Sequence, residues 1–341
     1  RVATDGIISW YIGGIIFFSI LVIYLWAGGL RAVAMTDIFY GILIVLSILS
    51  SGFFLMHVAG GSEAVFSELV QREPANVSMM GPEGNHRILL WLSLFVIVPV
   101  GAFMGPQMWI RNYSAGSAKH FEVLPLLLCI SSIVCVGTMM AGSAGVVLAE
   151  NLENPDYILV DLMSKYANPF FYIFVIIGVY ATIFSTANSQ VHALAAVYTI
   201  DVYRKYMKKN VPDKKLVSVA KWAVLVISMI SYLLIVLMPQ NIFDLGTIAL
   251  GGMAQLIVPV LGAFFWNRST AYAAIAGISA GEIVFGIVLF LSSSGDASIC
   301  AMAGLVANLF FFIVVTIADK PRIKVYKKIE TYRREYKLKE Y

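Results

Sequence analysis

The sequence predicts an all-α membrane protein with about nine transmembrane helices. Three observations support this prediction: 60% of the 341 residues are hydrophobic, only 13% are charged, and long apolar runs recur along the chain. Soluble domains carry roughly 25% charged residues, and about 20 apolar residues are enough for a helix to cross the hydrocarbon core of a bilayer. The chain is therefore expected to be embedded in a lipid bilayer.

The predicted spans follow one another with mostly short loops. Two loops are longer, 59–86 and 150–167, and both contain acidic residues and little Lys or Arg. The predicted spans are 7–27, 34–58, 87–109, 123–149, 168–200, 214–238, 243–266, 270–293 and 297–318.

Lysine and arginine collect on one side of the predicted membrane. That side holds Arg31, Arg111, Lys119, Arg268, the basic cluster within 204–215 and nine basic residues of the tail. By the positive-inside rule this side is cytoplasmic, so the N-terminus of the chain lies outside and its C-terminus inside. We expect a multi-pass protein of the plasma (inner) membrane, and the net charge of +4 indicates topology, not nucleic-acid binding.

The third span, "FVIVPVGAFMGPQMWIR", contains Pro99, Gly101, Gly105 and Pro106. Proline removes a backbone donor and glycine weakens a helix, so we expect a kink or break near the middle of this span. Irregular backbone at membrane depth is tolerated where it faces protein or a water-filled cavity, as in transporters. A simple packing kink is the alternative.

The eighth span repeats small residues at every fourth position, Ala273, Gly277 and Gly281, which predicts a close-packed helix seam. Glu282 follows this seam near mid-span. A functional carboxylate and a protonated carboxyl bonded to a neighbouring helix are both compatible with its position.

The fifth span carries a row of hydroxyls within "TIFSTANSQ". Thr182, Ser185, Thr186 and Ser189 are spaced i, i+3, i+4 and i+7, so they share one face of a helix. Such hydroxyls commonly bond to the carbonyl one turn back. They also suit a sodium ion, which binds hard oxygen ligands without needing a carboxylate.

Nothing in the sequence suggests covalent chemistry. The spans contain no cluster of His, Asp and Glu, no nucleophile paired with a base and no phosphate loop, so we predict that the protein is not an enzyme and holds no organic cofactor. Cys129, Cys135 and Cys300 lack the spacing of a metal site and are interpreted as small apolar residues.

Three motifs resemble those of the solute:sodium symporter family, in the family's order and spacing. "GGLRAVAMTD" (28–37) resembles the start of its fifth core helix, and "PQMWIR" (106–111) resembles the end of its broken sixth core helix. "FSTANSQ" (184–190), followed by "DVYR" (201–204), resembles its eighth core helix. A C-terminal "FFWNRSTAYAAIAGISAG" segment is similar as well, so the resemblance covers the chain except for its basic tail.

The resemblance implies a leucine-transporter-like fold of two inverted five-helix repeats, with ions and substrate at their interface. On this map residues 1–58 end the first repeat, 87–266 form the second, 270–318 are peripheral helices and 319–341 are a cytoplasmic tail. About four helices would then precede Arg1, including the broken first core helix that supplies the other half of the sodium site.

The resemblance also implies ion ligands. The main sodium site maps to the hydroxyls of Ser185 and Thr186 and to the backbone carbonyl of Thr182. A second sodium, known in some members of the family, would map to Asp37 with Ser185, Asn188 and Ser189. The alternative for Asp37 is a helix N-cap near the cytoplasmic interface.

The substrate path maps to Val98, Ala102, Phe103 and Pro106 of the third span. This segment is apolar here, whereas several members place aromatic or amide groups there, and Tyr40 stands where the family often has Gln. A sugar pocket needs several side-chain donors and acceptors, so the sequence favours a small carboxylate-bearing solute held by backbone N–H groups of broken helices.

The sequence thus predicts a sodium-coupled symporter that imports a small organic anion or zwitterion by alternating access. One alternative is a proton-coupled or uncoupled transporter of the same fold, although the span 34–58 lacks the Lys that replaces sodium in such relatives. Another is a transporter-like membrane sensor. The basic tail is expected on the anionic inner leaflet, and no feature assigns an oligomeric state.

Overall fold

The computed structural model describes residues 7–72, 74–77, 88–117, 119–149, 155–237, 242–292 and 296–319. Within these ranges all regular structure is helical. Eight segments are long and apolar enough to span a membrane, and a bent pair of helices adds a ninth if it crosses as one span. The predicted all-α polytopic class is therefore confirmed.

The described helices agree closely with the predicted spans, although three spans, 87–109, 123–149 and 243–266, are each built from two helices. The π-helix Tyr198–Met207 continues α9, and short 3₁₀ helices lie at Pro74–Val77 and Pro155–Tyr157. In chain order the α-helices are α1 (Trp10–Gly29), α2 (Ala32–Val58), α3 (Ser62–Arg72), α4 (Ile88–Met104), α5 (Pro106–Ser114), α6 (Lys119–Ser131), α7 (Val134–Leu148), α8 (Ile158–Tyr166), α9 (Pro169–Val197), α10 (Asp213–Leu237), α11 (Ile242–Ala254), α12 (Ile257–Phe265), α13 (Ala271–Leu291) and α14 (Ala297–Ala318).

A tight turn at Gly29 joins α1 to α2. Gly29 has φ 57° and ψ −157°, a backbone conformation that is essentially restricted to glycine. Next to the turn, the Tyr24 hydroxyl on α1 is hydrogen-bonded to the Thr36 hydroxyl on α2. The glycine pair of the "GGLRAVAMTD" motif therefore has a physical role, because it lets two spans follow each other with almost no loop.

The described contacts divide the chain into two compact units. The first comprises residues 1–82 and 109–239. In it α1 packs against α9 and α10 around a core of Leu21, Leu25, Val191 and Val224. A second core, which includes Leu55, Ala144 and Met163, joins α2, α7, α8 and α9.

The second unit comprises residues 83–108 and 240–341, and it contains α4 and α11 to α14. Gly101 of α4 lies against the backbone of Leu250 in α11, so close that a Cβ there would be 2.2 Å from the Leu250 carbonyl oxygen. The predicted seam is present: Ala273 is fully buried, and Gly277 and Gly281 lie against α14.

A buried pair of polar side chains, which the sequence did not predict, lies inside this second unit. Gln255, at the break between α11 and α12, and Asn308 on α14 are both fully buried. Asn308 Nδ2 donates to the Gln255 backbone carbonyl at 2.6 Å, and Gln255 Nε2 donates to the Ala301 carbonyl at 3.1 Å. Glu282 is exposed beside Gly252, and a bond from its carboxyl to a neighbouring helix, one of its two alternatives, is not found among the described residues.

The predicted division into repeats remains a prediction. The compact units follow a different division of the chain, since each combines two separate segments. Most of the predicted tail, residues 320–341, lies outside the described residues.

Candidate functional site

The hydroxyl row lies on a regular, uninterrupted part of α9. The Thr182 hydroxyl donates to the Gly178 carbonyl at 3.0 Å, and the Ser189 hydroxyl donates to the Ser185 carbonyl at 2.8 Å. These two side chains therefore bond one turn back, as ordinary membrane-helix hydroxyls do. Because α9 is unbroken here, the Thr182 carbonyl would offer an ion only its second lone pair.

Ser185 and Thr186 behave differently from their neighbours. In the described part of the chain, neither hydroxyl makes a hydrogen bond, and Ser185 is half-buried whereas Thr186 is exposed. Two adjacent hydroxyls on an apolar spanning helix thus keep their oxygen lone pairs available. They are the two side chains that the family resemblance assigns to the main sodium site.

Antiparallel packing of α2 on α9 sets the level of Asp37. The two helices meet at Ser47 and Gly178, where a Cβ on Gly178 would lie 1.8 Å from the Ser47 hydroxyl oxygen. Phe54 and Phe171 form an edge-to-face ring pair further along. Asp37 precedes Ser47 by ten residues and Ser189 follows Gly178 by eleven, so at about 1.5 Å per residue both lie at one level of the pair.

Arg111 of α5 joins this level. Its Nη2 nitrogen forms an ion pair with Asp37 Oδ2 and also donates to the Ser189 hydroxyl. The Asp37 side chain is 19% exposed and that of Arg111 is 45% exposed. Asp37 lies more than one turn inside α2, so the alternative that it caps the start of this helix is wrong.

Two side-chain oxygens of residues predicted for the second sodium are buried without a partner among the described residues. Asp37 Oδ1 and Asn188 Oδ1 have no hydrogen-bond donor among the described residues, and Asn188 is only 1% exposed. Buried polar oxygens are normally satisfied. The four residues predicted for a second sodium, namely Asp37, Ser185, Asn188 and Ser189, therefore include two oxygens that a cation would suit.

The third span is broken, as predicted. α4 continues through Pro99, and the break comes at Gly105, where α4 and α5 meet at a bend of 49°. The predicted path residues lie on both sides of this break: Val98, Ala102 and Phe103 on the last two turns of α4, and Pro106 at the start of α5. Ala102 and Phe103 are exposed, and Val98 and Pro106 are half-buried.

Arg111, which was not predicted for the site, contacts both Asp37 and Ser189. The sequence analysis treated it only as a cytoplasmic charge and as the last residue of the "PQMWIR" motif. Its fixed spacing after Pro106 in that motif was the one sequence feature that could have indicated a role at the site. No group of three or more His, Cys, Asp or Glu residues suited to a metal occurs in the described chain.

The family model for "Sodium:solute symporter family" matches residues 6–281. This chain belongs to the sodium:solute symporter family. The symporter motifs interpreted above all lie within the matched region, so the predicted family is confirmed.

Two curated relatives show how this member of the family compares with others. It is 25% identical over 281 residues to the sodium/pantothenate symporter of Haemophilus influenzae, with 80% of this chain and 57% of the relative covered. It is 24% identical over 343 residues to the high-affinity proline transporter PutP of Bacillus subtilis, covering 94% of this chain and 71% of the relative. The chain thus spans between about half and three quarters of these relatives, and both are named as transporters.

A solved structure supports the fold of this chain. It is described as the substrate-bound outward-open state of a Na⁺-coupled sialic acid symporter with a novel Na⁺ site. The TM-score is 0.73 at 18% identity, and the match covers 94% of this chain and 70% of the other. At this identity the likeness concerns the fold alone.

Proposed function

We propose that the protein is a sodium-coupled symporter that imports a small organic anion or zwitterion by alternating access. The observation that carries the proposal is the pair of unbonded hydroxyls, Ser185 and Thr186, on a spanning helix whose other row hydroxyls bond back to the backbone. A sodium ion needs such hard oxygen ligands. With the Thr182 carbonyl they form one half of the main sodium site.

A second sodium position is proposed at Asp37, Ser185, Asn188 and Ser189. The buried, unpartnered oxygens of Asp37 and Asn188 support it. In a bilayer interior, a carboxylate is costly unless a cation lies beside it. Arg111 supplies that charge in this structure, and a sodium ion at Asp37 would supply it instead.

The proposed solute class depends on the broken third span. The side chains of Val98, Ala102 and Phe103 offer no polar group, so recognition must come mainly from backbone groups freed near Gly105. Helix N-termini attract carboxylates. Two of the relatives are named for pantothenate, a carboxylate, and proline, a zwitterion, which is the same chemical class.

In the proposed orientation the C-terminus of the chain lies in the cytoplasm. The cytoplasmic face of the membrane is electrically negative. Each inward sodium then gains about 2.3 kcal/mol per 100 mV from the membrane potential. This energy is enough to accumulate a solute tens of fold. In this orientation Arg111 and Asp37 would lie on the cytoplasmic side of the main site, because Ser189 follows Ser185 and Thr186 toward the basic cluster within 204–215.

The test is sodium-dependent uptake and sodium binding by the reconstituted protein. Radiolabelled proline and pantothenate serve as solute probes, and ²²Na⁺ binding provides a readout that needs no solute. Replacing Ser185→Ala together with Thr186→Ala should weaken sodium affinity on the order of tenfold or more, because two oxygen ligands are lost.

Ser131→Ala with Ser132→Ala is the matched control. These adjacent hydroxyls also lie on an apolar span, but both donate to backbone carbonyls, at 2.9 Å and 2.6 Å. Sodium binding should be unchanged in the control. Equal sodium affinity in both double variants would refute the assigned site, and uptake that is the same in potassium as in sodium would favour the proton-coupled or uncoupled alternative.

A further inference from the structure

Arg111 occupies the place where the proposed second sodium would bind. Its Nη2 nitrogen contacts the Asp37 carboxylate on α2 and the Ser189 hydroxyl on α9. These acceptors are two of the four side chains proposed to bind that ion. A guanidinium carries a permanent positive charge and only donors, so it uses the same oxygens that sodium would use.

A guanidinium and a sodium ion cannot both contact these two oxygens. Two positive charges sharing one carboxylate oxygen would repel each other strongly in a partly buried position. The contact is also an imperfect fit for the guanidinium, because Asp37 Oδ1, the second oxygen of the same carboxylate, stays buried without a donor among the described residues. A small spherical ion could contact this oxygen as well.

The Ser189 oxygen can accept a hydrogen bond from Arg111 or coordinate a sodium ion without losing the hydrogen bond that Ser189 donates. It donates its proton to the Ser185 carbonyl and leaves its lone pairs facing Arg111. Sodium needs the same lone pairs. Exchange of one cation for the other therefore requires no rearrangement of α9, and it occurs one turn from the Ser185 hydroxyl of the main site.

Arg111 also connects three helices. It lies on α5, the short helix that follows the break at Gly105, and its side chain ties α5 to both α2 and α9. Loss of this contact would release the end of α5 from two spanning helices. We propose that Arg111 is a tethered cation that competes with sodium for Asp37 and Ser189, so that sodium binding there releases α5.

This inference rests on the proposed function only for its consequence in transport; the competition itself concerns binding. If two ligands exclude each other, removing one must strengthen the apparent binding of the other. Arg111→Gln should therefore lower the sodium concentration that half-saturates the Asp37 position by about tenfold or more. Arg111→Lys, which retains a tethered cation, should stay closer to the original protein.

The experiment measures ²²Na⁺ binding to the purified protein in detergent, with size-exclusion chromatography to confirm that each variant is folded. Arg204→Gln is the matched control, because it removes an exposed arginine on the same side of the membrane, away from Asp37. Asp37→Asn added to Arg111→Gln should abolish the gain in affinity. This result would place the stronger binding at Asp37.

Three results would overturn the inference: sodium affinity that is unchanged or weaker in Arg111→Gln, an equal gain in Arg204→Gln, or a gain that survives Asp37→Asn. A failure of the proposed function would give a different result from these three. If uptake shows no sodium dependence while Arg111→Gln still gains Asp37-dependent sodium binding, the symport proposal fails and the competition stands.

Discussion

Replacing Gly178 by alanine tests whether the packing of α2 on α9 positions Asp37 and Ser189. The added Cβ would lie 1.8 Å from the Ser47 hydroxyl oxygen and 2.4 Å from the Ser47 Cβ, whereas ordinary contact begins at 3.4 Å. Rotation of Ser47 can move its hydroxyl but not its Cβ. The two helices must therefore separate by about 1 Å, since 3.4 minus 2.4 is 1.0.

Overpacking of this kind costs typically about 1–3 kcal/mol. Helices transmit such a shift along their length, so it should reach the Asp37–Arg111–Ser189 contact about 15 Å away. We expect Gly178→Ala to lower the apparent melting temperature in detergent, measured by size-exclusion chromatography after heating. It should also shift the sodium dependence of ²²Na⁺ binding.

The structure provides both a rescue and a control. Ser47→Gly in the Gly178→Ala background removes the clashing Cβ, so the pair should show an interaction energy of about 1 kcal/mol or more in a double-mutant cycle. Gly41→Ala, on α2 with no heavy atom within 4 Å of the added Cβ, should be neutral or slightly stabilising. Full stability of Gly178→Ala, or effects of the two substitutions that simply add, would refute the reasoning.

Two further predictions concern the framework. Gly29→Ala and Gly29→Asn should both lower stability by about 1–3 kcal/mol, because the backbone conformation at Gly29 suits neither side chain. The measurement is thermal stability relative to Gly41→Ala. A Gly29→Ala variant as stable as the original protein would contradict this prediction. Asn308→Leu should cost about 1–3 kcal/mol, because it leaves two buried Gln255 oxygens without a donor. Thr316→Val, which removes a buried hydroxyl that has no partner among the described residues, should cost little in the same assay.

Local features of the sequence predicted the spans, the break and the hydroxyl row. Each depends on neighbours in the chain: apolar length sets the spans, proline and glycine interrupt the third span, and a 3.6-residue period aligns Thr182, Ser185 and Thr186. The exact break was less predictable. α4 accommodates Pro99 and is interrupted only at Gly105, where the following Pro106 begins a new helix.

Pairings between distant residues were not predictable in this way. The Gln255–Asn308 pair joins positions 53 residues apart, and nothing in either local pattern indicates the other. The same holds for Gly178 and Ser47, whose close approach depends on two smooth helix surfaces meeting. Such contacts arise from the packing of whole helices, which a single sequence does not reveal.

The sequence by itself determined that the chain is a polytopic membrane protein with a row of hydroxyls along one helix face, because composition and helical period are properties of short segments. Tertiary structure decided which of those hydroxyls are already bonded and what lies beside Asp37. Ser185 and Thr186 make no hydrogen bond in the described chain, whereas Thr182 and Ser189 bond back to α9. Asp37 meets Arg111, 74 residues further along the chain, because antiparallel packing of α2 on α9 brings that level of both helices against α5.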